Sequence, residues 1–333
     1  MYKNFIKKLV LGTTETQEYI CTGFQNLSDP FKVFLSFKNN PESKEVTASH
    51  IFLGYKPLLI GITLTHDDTC YSILQRSTEV CLSFQRNLFT DLIQKNAFYI
   101  DTKSDALIFL KILTEKKFNN QSLFIFEGVF GEHHFLSPFH QFTNSIHEKL
   151  KRKRRDNINL PGNLYKQVAI AYSVPRIISV ISLGKNNLFN LFPTDLHGAI
   201  DDTFYVGSLR HEGKACQQVE EIKKIALANV PADFSQDAYA MGKNHMQGLK
   251  SIDNFKTGSL RTELFNYPLP DETLSYREME LQDHFDAGIH RLLFYKIIHQ
   301  KVISNNSATL CHLHKHYITW RNKKGLNTER LIR

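Results

Sequence analysis

Two stretches decide the fold once they are set side by side: Leu58-Leu59-Ile60-Gly61-Ile62-Thr63-Leu64 and Phe204-Tyr205-Val206-Gly207-Ser208-Leu209. Both are strand-length runs rich in β-branched or aromatic residues, and both carry Gly at the same place. Upstream, residues 31–37 form a strand-like run that ends in Lys38-Asn39-Asn40, and residues 177–183 a similar run that passes through Gly184 into Lys185-Asn186-Asn187. Downstream of each come a short polar turn, a helix-like segment (71–77; 215–224) and another strand (80–84; 225–230). Gly131-Glu132-His133-His134-Phe135 and Ala287-Gly288-Ile289-His290-Arg291 supply a fifth pair, each read as lying before a strand. An ordered series of five pairs reads as an internal duplication.

The rest of the composition agrees with two folded units. The chain has 333 residues, 42% of them hydrophobic and 22% charged, with 25 Phe and 13 Tyr. That length suits two domains or one large one, and such a composition excludes a disordered, collagenous or coiled-coil chain. Many short β-branched and aromatic runs between Gly, Pro, Asn and Asp turns predict a mainly β protein with short helices. Each half is expected to be a small barrel or sandwich, the two forming within one chain a pseudo-dimer like those that homodimers make from two chains.

Charge is distributed unevenly. Of the net +8, residues 149–155 (Lys149, Leu150, Lys151, Arg152, Lys153, Arg154, Arg155) hold +6, residues 1–148 hold −1 and residues 156–333 hold +3. A block of like charge followed by Asp156, Asn157, Asn159, Pro161 and Gly162 reads as a solvated linker. The expected units are therefore 1–150 and 156–333, joined by 149–155. The block has no neighbouring aromatic stacking positions, so nucleic acid is not expected as a partner, and no apolar run approaches the length of a membrane span, so no membrane is expected either. Five scattered Cys without a Cys-x-x-Cys pair suggest neither a disulfide framework nor a zinc site, and point to a reducing cytoplasm. The apolar run after Lys3, Lys7 and Lys8 stops at Gly12, short of a signal-peptide core. His312, His314 and His316 alternate as on one face of a strand; a solvent-facing row is expected there rather than a metal site, and no metal ligand is assigned.

The order of elements in the second half carries a family resemblance. Val174-Pro175-Arg176-Ile177-Ile178-Ser179-Val180-Ile181-Ser182, then Asn190-Leu191-Phe192-Pro193-Thr194-Asp195, then Tyr205-Val206-Gly207-Ser208-Leu209-Arg210 resembles the opening of the flavin reductase-like, FMN-binding split-barrel family. Pro268-Leu269-Pro270 and Gly288-Ile289-His290 resemble that family's later turn and strand, so the likeness runs from residue 174 to about 320. In the first half, Val46-Thr47-Ala48-Ser49 resembles the family's flavin-side segment. The resemblance implies two tandem split β-barrels with FMN at their interface and hydride transfer between a nicotinamide nucleotide, NADH or NADPH, and the flavin ring. Flavin carries that chemistry itself, so no catalytic acid, base or nucleophile is assigned.

The resemblance places Asn190, Pro193, Thr194 and Asp195 in a loop lining the ring and ribityl chain, with Thr47 and Ser49 in the flavin-side segment and His290 near the flavin or nicotinamide; turn formers and a structural His are the plainer readings. After Gly207, the residues Ser208, Leu209, Arg210 and Lys214 offer a phosphate site, whereas the first half has Thr65, His66, Asp67 and Asp68, whose two carboxylates would repel a dianion. Ala215 and Cys216 depart from the hydroxyl residues common in the family there. The alternative is a non-catalytic flavin-binding or interaction protein on the same duplicated barrel. Association beyond the intramolecular pair is left open.

Overall fold

The computed structural model describes residues 2–15, 17–24, 31–86, 92–151, 159–305, 307–326 and 331. After α1 (Tyr2–Leu11) and β1 (Tyr19–Phe24), the first unit runs β2 (Lys32–Phe37), β3 (Ser43–Glu45), β4 (His50–Tyr55), β5 (Leu58–Thr65), α2 (Thr69–Arg76) and β6 (Glu79–Gln85). A hairpin of β7 (Leu92–Lys95) and β8 (Phe98–Asp101) precedes its last strands, β9 (Ala106–Lys117) and β10 (Gln121–His133). Helices α3 (Pro138–Lys151) and α4 (Leu164–Ala171) and the short β11 (Arg176–Ile177) lead to the second unit. That unit holds β12 (Ser179–Lys185), β13 (Leu188–Thr194), β14 (His197–Ala199), β15 (Phe204–Arg210), α5 (Lys214–Ile222), β16 (Lys224–Asn229), α6 (Ser235–Met241), β17 (Ser275–Ala287) and β18 (His290–Val302). The chain then forms β19 (Thr309–His314) and α7 (Lys315–Lys323).

The duplication is visible in the strand order. One antiparallel sheet runs β3-β2-β6-β9-β10-β5-β4 and the other β13-β12-β16-β17-β18-β15-β14, so each strand of the first has a counterpart at the same place in the second. Helices α2 and α5 occupy equivalent crossovers. The chain is two split barrels in tandem.

Four of the five sequence pairs fall on equivalent elements, and the fifth is corrected. Gly131–Phe135 closes the last strand of the first unit, whereas Gly288 is the turn between β17 and β18. Arg210 lies opposite His290, and Leu64, the counterpart of Arg210, lies opposite Ser122. Ser122 is therefore the equivalent of His290. Gly and His mark strand ends without saying which end.

The central strands are apolar on both faces, and alternation sends the two faces to different cores. Leu58, Ile60, Ile62 and Leu64 of β5 point into the first barrel with Phe124 and Phe126 of β10. Leu59, Leu123 and Ile125 point the other way, where they meet Val206, Leu292 and Phe294 of the second unit. Tyr205, Leu209, Leu293 and Tyr295 fill the second barrel. Each fully buried side chain of this kind contributes about 1.5–3 kcal/mol, so the shared layer holds the units together.

Segments late in the chain also complete the first barrel. Val168, Ile170 and Ala171 of α4 and Tyr317, Ile318 and Trp320 of α7 lie in its core, and β19 pairs with β1 from Tyr19↔His314 to Phe24↔Thr309. The 149–155 division thus separates the two sheets in sequence, while the packing crosses it. Lys149 and Leu150 belong to α3, and residues 152–155 of the expected linker lie outside the described residues.

Close approach of the units requires Gly198. A Cβ there would sit 2.8–3.1 Å from three side-chain atoms of Ile51. Gly198→Val is expected to cost about 1–3 kcal/mol, as overpacking does. Urea unfolding would show this as a lower midpoint; an unchanged midpoint would contradict the tight β4–β14 contact.

Candidate functional site

Two cavities lie where the units meet, and Asp195 lines both. The larger encloses about 830 Å³ between the Thr47-Ala48-Ser49 segment of the first unit and Arg176, Asp195, His197 and Arg277. The smaller, about 150 Å³, is walled by Pro193, Thr194, Ser208, Leu209, Arg210 and His290, with Tyr55 arriving from the first unit and His245 and Met246 closing one side.

Most of the expected residues are thus gathered at one interface, but not all. Asn190 is buried away from both cavities: its Nδ2 donates to Gln218 Oε1 (2.7 Å) and to the Asn244 carbonyl (3.1 Å), tying β13 to α5. Lys214 is exposed on the first turn of α5 and lines neither cavity. Gly207 faces a narrow space inside the second barrel, beside Tyr295. Thr47 uses its hydroxyl locally, accepting from the Val33 N–H (3.0 Å) and donating to Glu45 (3.0 Å).

The Thr47–Ser49 segment is held by a contact that the motif reading missed. His50 Nδ1 donates to the carbonyls of Val46 (2.9 Å) and Thr47 (3.0 Å), which leaves Nε2 to accept from Arg176 Nη2 at 3.0 Å. Burial, reinforced by the guanidinium, draws His50 down to about 3, so the ring is neutral. Burial also lowers Arg176 to about 10, where it remains a cation at neutral pH. The signal in the sequence was a polar residue at the head of each apolar run, His50 before Ile51-Phe52-Leu53 and Arg176 before Ile177-Ile178.

His290 is a second bridge between the units. Its Nε2 accepts from the Tyr55 N–H (3.3 Å), so Nδ1 carries the proton and donates to Ser208 Oγ (3.2 Å). Burial, with the nearby charge of Arg210, pulls it down to about 4. It forms a neutral, engaged wall of the smaller cavity.

Asp195 is the charged centre. Its Oδ2 accepts from Tyr172 (2.8 Å) and from His312 Nδ1 (2.6 Å), and His312 Nε2 meets the Tyr239 hydroxyl at 2.6 Å. Burial opposes both charges, but the hydrogen bond and mutual attraction prevail: Asp195 is lowered and His312 raised well above its ordinary value. The expected solvent-facing row of histidines is therefore corrected. β19 ends at His314, His316 belongs to α7, and both are buried, because β19 is covered by elements that its local pattern does not reveal.

The two barrels differ where a phosphate was expected. In the first, Asp68 caps α2, accepting from the Cys70 N–H (2.8 Å), and is paired with Lys44. In the second, the N-cap of α5 is Gly213, with no side-chain cap, and Arg210 at the end of β15 has no ion-pair partner among the described residues. Arg277 lies with its guanidinium 5.4 Å from the Tyr205 ring centre, its Nε buried without a hydrogen-bond partner among the described residues.

This donor set suits an anionic ligand in the second unit. Small-molecule sites are usually about 300–1,000 Å³, so the smaller cavity alone is too tight and the larger is ample.

No family model matches the chain, and no curated protein sequence matches it. Among solved structures it is similar to the NADH:FAD oxidoreductase SgcE6 of Streptomyces globisporus (10% identity, 54% of this chain, 100% of that chain, TM-score 0.42). It is also similar to BorF, the flavin reductase component of a bacterial two-component tryptophan halogenase (13%, 51%, 98%, 0.41). A third is an FMN-binding protein from Thermus thermophilus (13%, 46%, 82%, 0.35). Each likeness spans about half of this chain. At these TM-scores the duplicated barrel stands on the chain's own strand order and register.

The Asp195–His312 pair yields a pH prediction. A raised histidine contributes stability that is fully present below its unfolded value, near 6.5, and lost as pH rises through the folded value. A lowered aspartate contributes stability present above about 3.8 and lost as pH falls through the folded value. His312→Gln should therefore cost about 3–5 kcal/mol near pH 6. The gap from wild type should shrink once pH passes the raised value of His312. Urea midpoints for both proteins across pH 5–10 check this; a pH-independent gap would exclude the charged pair.

Proposed function

We propose that the chain is a flavin-binding oxidoreductase of the flavin reductase type, holding one FMN per chain between its units and using NADH or NADPH as the hydride donor. The observation that carries this reading is the asymmetry of the two strand-to-helix turns. Of the two turns, the one before α5 leaves its helix N-terminus without a side-chain cap, beside an arginine that has no ion-pair partner among the described residues, at the edge of an inter-unit cavity. Backbone N–H groups and a guanidinium are what a phosphate requires, whereas the carboxylate cap of Asp68 excludes one from the first unit.

In this reading Arg210 and Ser208 hold the phosphate, Pro193 and Thr194 line the ribityl chain, and the Thr47–Ser49 segment, pinned by Arg176, covers the ring from the opposite unit. Bound flavin would supply the hydride chemistry. The protein's share is to bind, orient and exclude water: His290 is neutral and seals the wall, and Asp195 stays ionised by its pairing with His312. Asn190 and Lys214 are left out of the direct contacts. The five cysteines, all free and buried, suit a cytoplasmic setting, and no helix among the described residues is long and apolar enough to cross a membrane.

Two observations favour the second reading, flavin binding without turnover: both His290 nitrogens are engaged, and His245 and Met246 narrow the smaller cavity. Titration with FMN, followed by quenching of flavin fluorescence, tests binding. Arg210→Glu should weaken it about 10- to 100-fold, the loss expected of a charge-assisted hydrogen bond. The opposite charge reversal at the matching turn of the first unit, Asp67→Lys, should leave it unchanged. Undiminished binding in Arg210→Glu would remove the site assignment, and FMN-dependent oxidation of NADH or NADPH separates enzyme from binder.

A further inference from the structure

Helices α1 and α3 turn their apolar stripes outward. On α1, Tyr2, Phe5, Ile6 and Leu9 follow a spacing of three and four, and on α3 so do Phe139, Phe142, Ile146 and Leu150; all eight are between 43% and 83% exposed. A surface helix normally buries such a stripe against the core, and adjacent exposed stripes of this size mark a contact with something else. The helices are docked to each other through the C-terminal end of α1. His140 Nε2 donates to the Leu9 carbonyl (3.3 Å), Thr143 Oγ1 donates to the Val10 carbonyl, and Leu11 is the one buried residue of α1. The Thr13 and Thr319 hydroxyls, 2.9 Å apart, anchor the chain after α1 to α7. The apolar side chains stay free because backbone and polar groups make the dock.

Charge identifies the occupant. Helix α1 carries Lys3, Lys7 and Lys8 and no acidic residue, and Lys149 is exposed near the end of α3. The one acidic residue of α3, Glu148, is paired with Lys315 at 3.2 Å. A face with aromatic and aliphatic side chains flanked by lysines that have no ion-pair partner among the described residues matches the boundary of an anionic bilayer, where apolar groups enter the acyl region and lysines meet phosphate headgroups. A second copy would bring lysines against lysines. We propose that the α1–α3 face binds an anionic phospholipid surface peripherally. The sequence alone predicts no membrane partner, and the exposure of the α1 and α3 stripes is set by the fold.

Co-flotation of the full chain with phosphatidylcholine vesicles, with and without about one-third phosphatidylserine, tests this. The chain should float with the anionic vesicles, be released by added salt and ignore the neutral ones. Each lysine near such a surface is worth roughly fivefold in partitioning, so Lys7→Gln with Lys8→Gln should weaken it about 25-fold. Phe5→Ser with Phe142→Ser should abolish flotation without shifting the thermal midpoint, since both side chains are exposed. Absence of flotation, equal flotation on neutral vesicles, or wild-type flotation by the serine variant would overturn the proposal. So would light scattering that shows a lipid-free dimer which the serine variant converts to monomer, because the face would then belong to a second copy.

Discussion

Everything else in the molecule depends on strands that are apolar on both faces. A strand with one wet face builds one core; β5, β10, β15 and β18 each build two, because successive side chains alternate between the inside of their own barrel and the layer between barrels. Neither barrel can leave its partner without exposing that layer. Both cavities lie where the two units meet, and Asp195 lines each of them.

Polar contacts then fix how the barrels meet. Arg176 reaches from β11, at the entry to the second unit, to His50, and His290 reaches from the β17–β18 turn to the backbone of Tyr55. Both histidines are buried and neutral, so they bridge the units without bringing a further charge into the interface. Asp195 is the exception, and it is matched by His312 and Tyr172 within hydrogen-bond distance. Charge that is largely withdrawn from water is tolerated where it is paired and hydrogen-bonded, which is why this half-buried aspartate can face a cavity and remain ionised.

The two halves have diverged by small local means. A single carboxylate, Asp68, satisfies the start of α2 from within the protein; a glycine at the matching place leaves the start of α5 available. The barrels keep the same strand order while only one offers an anion a place. The outward stripes of α1 and α3 are a separate divergence, placed outside both barrels.

Much of this was legible in the residues. The matched glycines of 58–64 and 204–209, the Asn turns and the order of helix and strand show the duplication, because strand periodicity and turn chemistry are local properties. The contrast between Asp67-Asp68 and Arg210 is equally local. Asn190, Lys214 and the three alternating histidines were misplaced for the opposite reason. Whether a polar side chain faces a cavity, a neighbour or water depends on which distant segment covers it. Asn190 is covered by α5 and residues 244–247, and β19 by β1 and β11, contacts that span dozens to hundreds of residues. The sequence by itself therefore determined the repeated barrel and the charge of its turns. Only the tertiary structure decided the pairing of Asp195 with His312, the bridge from Arg176 to His50 and the exposure of the α1 and α3 stripes, since burial is set by non-local packing.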